Sequence, residues 1–289
     1  MRIFGRRGLL LISALVMVAA PLVATTAQAA ARPRHFDDVR NAAGGKACSL
    51  PVTSVNRVQY LSRNSQVIAN RHFRVTGSAY FAVYGSNVTF RNVCIDTFAD
   101  GAIRPQTKSR ALRLVDVTVR GQNVLGGAGN CGTGVWLPAG SSALRVVSTG
   151  CEDGFLLGDG ATLSDSWCYG LVPRTNPAGH DDCIQSTAGS NITIRHNALD
   201  GPWRGQTSGI LIKSDQGPIS NVIIDNNYIS GGSYTVYVLP GGYPMPTNVR
   251  LTNNRLRMNS ARYGPCSYGR PRPISVRTVW DHNGAPAPC

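Results

Sequence analysis

The chain holds 289 residues, 15% of them charged, with a formal net charge of +14. Such a basic balance fits either a solvated, arginine-rich surface or attraction to an extracellular polyanion, and no nucleic-acid-binding motif and no basic stretch interleaved with aromatics is present, which argues against nucleic acid. The one apolar run, Leu9 to Ala20, is too short to cross a bilayer, so no membrane partner is expected.

Residues 1–29 read as an export signal: Arg2, Arg6 and Arg7, then the apolar run, then Ala27-Gln28-Ala29 as a small-residue cleavage site. A secreted protein cleaved near Ala29 is expected, and Arg6-Arg7 fits a twin-arginine route as well as the general one. Removing the three leader arginines leaves +11 on a single elongated domain, expected to be a monomer. The eight cysteines all follow the leader. An even count in an exported chain, with no CxxC pair, favours disulfides over zinc. Proximity pairs Cys266 with Cys289 and Cys48 with Cys94, while the middle four either bridge neighbouring turns or lie in the core.

Residues 30–51 are expected to form an N-terminal cap, with a short helix over 36–43 closed by Gly44-Gly45. The need for a cap follows from the repeats beyond it. Asn87-Val-Thr-Phe-Arg-Asn-Val-Cys-Ile95 recurs in outline from Asn191 to Leu199, from Asn221 to Ile229 and from Asn248 to Leu256, apolar at the second, fourth and ninth positions. Degenerate copies start near Val67, Ala111, Ala143 and Gly160, so the period is that of a solenoid. Two-residue alternation, β-branched enrichment and Gly/Asn turns make each unit strands. The expected fold is all-β, a single right-handed parallel β-helix over 52–258. Residues 259–289, rich in Pro, Gly and Arg, would be an irregular C-terminal cap over the other open end.

A second strand precedes the asparagine-led units, and five copies align without gaps, beginning at Gly134, Gly154, Cys183, Gly209 and Thr235. Their second residues should point inward and their third outward: Trp136, Leu156, Gln185, Leu211 and Tyr237. Trp136 and Tyr237 either stack on sugar rings or rest under a loop. Asp153 and Asp182 fall at one register on consecutive turns, with Glu152 and Asp181 one position earlier and His180 beside them. Strands stack about 4.8 Å apart, so these carboxylates should share an outward patch. Crowding raises one carboxyl's pKa, as a general acid requires. Alternatively Glu152, Asp153 and Asp182 hold a Ca²⁺ ion, or the acids cap backbone N–H groups at turns.

Glu152-Asp153-Gly154-Phe155 followed by His180-Asp181-Asp182-Cys183-Ile184 resembles the polygalacturonase-type hydrolases of the pectin-lyase-like β-helix superfamily, which carry Asn-Thr-Asp-Gly and Asp-Asp-Cys on consecutive turns. That resemblance implies Asp153, Asp181 and Asp182 as the carboxylate trio of an inverting hydrolase. Gly209-Ile-Leu-Ile-Lys213 is similar to the family's Arg-Ile-Lys segment, with Leu211 in place of its Arg, and Arg195-His196-Asn197 stands where its His-Gly would be. The chain also resembles secreted β-helix proteins more broadly. Lys213 lies five residues beyond the Asp182 register, roughly 16 Å away, which suits an extended substrate touching both. The superfamily's uronate lyases use Arg, Lys or His as base, which here implies His180, Lys213 or Arg204. The expected function is cleavage of an acidic extracellular polysaccharide by β-elimination, with Trp136, Gln185, Arg204 and Tyr237 binding substrate. An inverting hydrolase and a non-catalytic polysaccharide-binding β-helix are the alternatives.

Overall fold

The computed structural model describes residues 36–123, 131–173, 180–202, 204 and 206–289. The leader at 1–29 and the front of the expected cap lie outside them. Within the described residues the chain winds as a parallel β-helix with all of its ladders parallel. Each turn passes three walls. One is a three-stranded sheet in the first turns (Gln59–Leu61, Phe81–Val83 and Ile103–Pro105) and, from Thr133 on, a six-stranded sheet built from Thr133–Leu137, Asp153–Leu157, Asp182–Ser186, Ser208–Ser214, Tyr234–Pro240 and Gly264–Tyr268. The other two belong to one large sheet that splits along a corner. In early turns the long strands Thr89–Thr97 and Arg113–Gly121 cover both walls. Arg113–Gly121 then pairs with two short strands at once, Ser142–Leu144 and Val147–Thr149.

The asparagine frame explains the corners. Its first residue is left-handed wherever it recurs, with φ of 58° at Asn87, 59° at Asn191, 56° at Asn221 and 49° at Asn248, and its sixth is left-handed too (Asn92, His196, Asn226, Asn253). Asn tolerates this region because its short side chain bonds locally. Each copy therefore reads corner, strand, corner, strand, and its second, fourth and ninth residues fill the core, as Ile192, Ile194 and Leu199 do at 0% exposure. The same geometry places the degenerate frames at Ser65, Ala111, Gly140 and Gly160. Ala111 and Gly160 are the starts expected from the sequence, while those expected near Val67 and Ala143 fall two and three residues late; none of the four carries the asparagine.

Both ends differ from the expectation. Strands Gly264–Tyr268, Ile274–Val276 and Val279–Trp280 lie inside the stretch assigned to a cap, yet each joins a wall in register with the turn before it (Val236↔Cys266, Leu251↔Ser275, Leu256↔Trp280). The winding thus continues past 258. Pro273 and Ser275 stand where the frame has apolar residues, so the pattern fades before the geometry does. Only the tail beyond Trp280 folds back, pairing Pro286 with Val279 and tied by Cys266–Cys289.

The N-terminal segment is a strap along the side, not a cap over the end. Its helix, Asp37–Ala42, buries Phe36 and Val39 against Ala198, Trp167 and Tyr228, on turns far along the winding. Arg40 donates two 2.8 Å bonds to Asp200, and the Trp167 indole donates a third. The chain then crosses earlier turns in reverse order. Gly44 donates to the Arg145 carbonyl, the Lys46 N–H to Asn92, Cys48 bonds to Cys94, and the Leu50 carbonyl meets His72. Gly44 (φ +83°) lies so close to the wall that a Cβ would be 2.3 Å from Thr118 Oγ1. Two apolar side chains cannot cover an open core, but they suffice for a narrow corner.

All eight cysteines are paired. The two pairings read from proximity are present. Cys131–Cys151 links successive turns, and Cys168–Cys183 joins the six-stranded wall to its neighbour.

Candidate functional site

The five-strand alignment read from the sequence is the register of the six-stranded sheet: Val135, Phe155, Ile184, Ile210 and Val236 pair in succession. Those residues are buried, and Trp136, Leu156, Gln185, Leu211 and Tyr237 form a row on the outer face, from Trp136 at 43% exposure to Leu211 at 6%.

Asp153 and Asp182 share a register, two residues before Phe155 and Ile184. The Asp182 N–H donates to Asp153 Oδ1 (2.9 Å), and the Ser208 hydroxyl, next along the same row, donates to Asp182 Oδ1 (2.5 Å). Glu152 and Asp181 lie close enough for their charges to act on this pair and on each other. The four acids are brought together, but not as the outward patch the sequence suggested. Asp181 and Asp182 have no exposed surface, and among the described residues neither oxygen of Asp181 nor Oδ2 of Asp182 has a hydrogen-bond partner. Cover comes from both sides. The turn with buried Gln206 and Ser208 folds against Asp181, whose carbonyl accepts from the Ser208 N–H. On the preceding turn, Cys131–Cys151 and the Asn123 side chain, bonded to Cys131 and Val172, hold chain next to Glu152.

Burial governs the titration. It lifts Asp181 to about 7, helped by the Glu152 charge. It lifts Asp182 to about 7 as well, against the Ser208 hydrogen bond, with Asp181 adding to the rise. Asp153 is pushed well above the usual carboxylate range, by burial first and then by Asp182. Desolvation and like charge act here in the same direction.

The calcium expectation for Glu152, Asp153 and Asp182 does not fit this geometry. Among the described residues these acids do not bring oxygens from three residues within 4.8 Å of one another. The trio that meets this distance is His72, Cys94 and Asp96, and Cys94 is spent in a disulfide. His72 is committed too, between the Leu50 carbonyl (3.2 Å) and Asp96 (3.0 Å).

Four predicted residues do meet on the surface. A cavity of about 380 Å³ on the outer face is lined by His180, Gln185, Lys213 and Tyr237, together with Thr207, Leu211, Asp215 and Leu239. His180 is exposed, with Nδ1 3.2 Å from the Thr207 hydroxyl. Lys213 is half-buried and 3.0 Å from Asp215. Burial and the neighbouring Tyr234 raise the Tyr237 phenol, so it stays protonated at neutral pH. Asp215 and Leu239 escaped the sequence reading although alternation names them: they follow Lys213 and Tyr237 by two residues on the same face.

Two predicted residues lie elsewhere. Trp136 begins the outer row, four strands from Tyr237, or roughly 19 Å at the usual strand spacing. Arg204 lines a separate cavity of about 300 Å³ with Arg257 and Arg262. Neither arginine was singled out from the sequence, because the bridge from Arg204 to Gly232 and the turn beyond it follow no repeat.

No protein-family model matches the chain, and no curated protein matches it. The resemblance to polygalacturonase-type hydrolases rests on the motif residues named above.

Proposed function

We propose that this chain is an exported, carbohydrate-active β-helix that takes an acidic, uronate-containing polysaccharide along the outer face of its six-stranded sheet and cleaves it by β-elimination. The observation that carries this reading is the groove, where an exposed imidazole, a lysine, an amide and an aromatic ring converge beside a wall of apolar side chains. Lys213 can exchange Asp215 for the sugar carboxylate, and Tyr237 offers a face to a pyranose ring. His180 takes the proton at C5. The electron pair forms the C4–C5 double bond, the C4–O bond breaks, and the leaving oxygen takes a proton from water or the Tyr237 phenol.

Inverting hydrolysis is the weaker reading. It needs one carboxylic acid at the glycosidic oxygen and one carboxylate at a water, both reaching the sugar. Asp181 and Asp182 expose nothing, and Asp153 alone keeps partial exposure. That burial also favours a second reading, a binding module without chemistry.

The test is a panel of polyuronates, read both for unsaturated product by ultraviolet absorbance and for reducing ends. Elimination gives both signals. Reducing ends without absorbance mean hydrolysis, and affinity with neither signal means binding alone. His180→Ala should cut the elimination rate by about 10²-fold or more, the usual loss of a general base; an unchanged rate removes His180 from the mechanism.

A further inference from the structure

The Arg204 cavity is lined by three arginines, Arg204, Arg257 and Arg262, and by no acidic residue among the described residues. Elsewhere the winding pairs its arginines with aspartates across turns, as in Arg40–Asp200, Arg120–Asp96 and Arg145–Asp116. Among the described residues these three have no such partner. Unneutralised positive charge gathered in a concave site calls for an anion, and the guanidinium fork suits a carboxylate bidentately.

The backbone sets the spacing. Arg204 bridges to Gly232, and the Gly232 carbonyl accepts from the Arg262 N–H (3.0 Å), so two arginines flank a glycine on successive turns. Their backbones are thus about two strand spacings apart, roughly 10 Å. Gly232 cannot be replaced to close that gap: its φ is +86°, and a Cβ would lie 2.6 Å from the Ser208 Cα. Tyr263 and Trp280 add aromatic surface to the same cavity.

A line of rings joins this cavity to the groove. Tyr237, in the groove, lies 5.3 Å from Tyr234, and Tyr234 lies 5.8 Å from Tyr263. We infer that the arginine cavity is a second anion subsite for the same polymer, seating an acidic sugar after the chain leaves the groove across Tyr234. This rests on the polysaccharide reading above and adds a length requirement to it.

The test is calorimetric titration of a uronate disaccharide and an octasaccharide into the wild-type protein and Arg257→Ala/Arg262→Ala. The side chains removed are exposed, and matching melting curves check the fold. The wild type should bind the octasaccharide at least tenfold more tightly than the disaccharide. The variant should lose that preference while its disaccharide affinity stays unchanged, and Arg204→Ala, on another turn, should reproduce part of the loss. A variant that keeps the full length preference overturns the subsite and leaves the groove reading intact. Failure of both oligomers to bind the wild type overturns the groove reading itself.

Discussion

Two stacks of polar side chains run through the interior, and they obey opposite rules. Asn197, Asn227 and Asn254 are fully buried on consecutive turns, and every link is closed. Asn227 Oδ1 accepts from both the N–H and the Nδ2 of Asn197, Asn254 Oδ1 does the same for Asn227, and the remaining amide hydrogens reach the carbonyls of Leu163, Ile194 and Ile224. Asp153 and Asp182 are stacked by the same winding, yet three oxygens of Asp181 and Asp182 stay unpartnered among the described residues. The difference is chemical. An amide carries donors and acceptors, so a column of amides completes itself; an ionised carboxylate only accepts, so a column of carboxylates repels itself until protons arrive. The first stack is architecture. The second is a store of protons held near neutrality.

Breaking the closed stack should have the largest effect. Asn227→Leu keeps the number of side-chain heavy atoms but leaves the Asn197 donors and the Ile194 carbonyl without these partners in the core. At about 1–3 kcal/mol for each orphaned group, the loss should reach roughly 3–6 kcal/mol. Urea unfolding measures it, and a loss below about 1 kcal/mol would show that the ladder is incidental.

The open stack should respond with the opposite sign. A carboxyl raised to about 7 in the folded state and near 3.8 unfolded leaves the native protein holding more protons between those values. Its contribution is therefore neutral below pH 4, falls as pH rises towards 7, and stays unfavourable above. Asp181→Asn removes the charge and should stabilise the protein by roughly 2–4 kcal/mol at pH 8 with little change at pH 4. Melting temperatures at the two pH values decide the matter, and a variant no more stable at pH 8 contradicts the shift. Asp96 does not blur this window. Burial pushes its carboxyl up, but hydrogen bonds from Arg120 and His72 outweigh that and hold it low, so its stabilisation is lost only below the ordinary carboxylate range.

The closed stack explains why the fold could be read from sequence. Positions one, six and seven of the frame each carry a geometric demand, a left-handed corner or a self-pairing amide, and Asn meets all three, so the letter repeats. Arg277 keeps the left-handed corner but Thr278 stands where the amide would be, so the last turn went unread. Register of the six-stranded wall was legible for the same reason, since Phe155, Ile184 and Ile210 must all face inward. Burial of Asp181 was not legible. It depends on how the corner around Gln206 and Ser208 folds, and corners follow no alternation. The strap was misplaced because Phe36 and Val39 announce that a surface is covered without saying which one.

One bond marks the boundary between the two kinds of stack, and its removal is the finest probe of the contrast. The Ser208 hydroxyl is the one side-chain donor to Asp182 among the described residues, and it holds that carboxyl below where burial alone would put it. Ser208→Ala should therefore raise the Asp182 pKa further and enlarge the stability lost at alkaline pH. The bond matters most to the charged form, so the variant should be about 1 kcal/mol more destabilised at pH 8 than at pH 4, where the acid is protonated and the serine has less to hold. Equal destabilisation at both values would mean that Asp182 never gives up its proton across that range. The acid pair would then be a neutral packing element like the asparagines, rather than a titrating site.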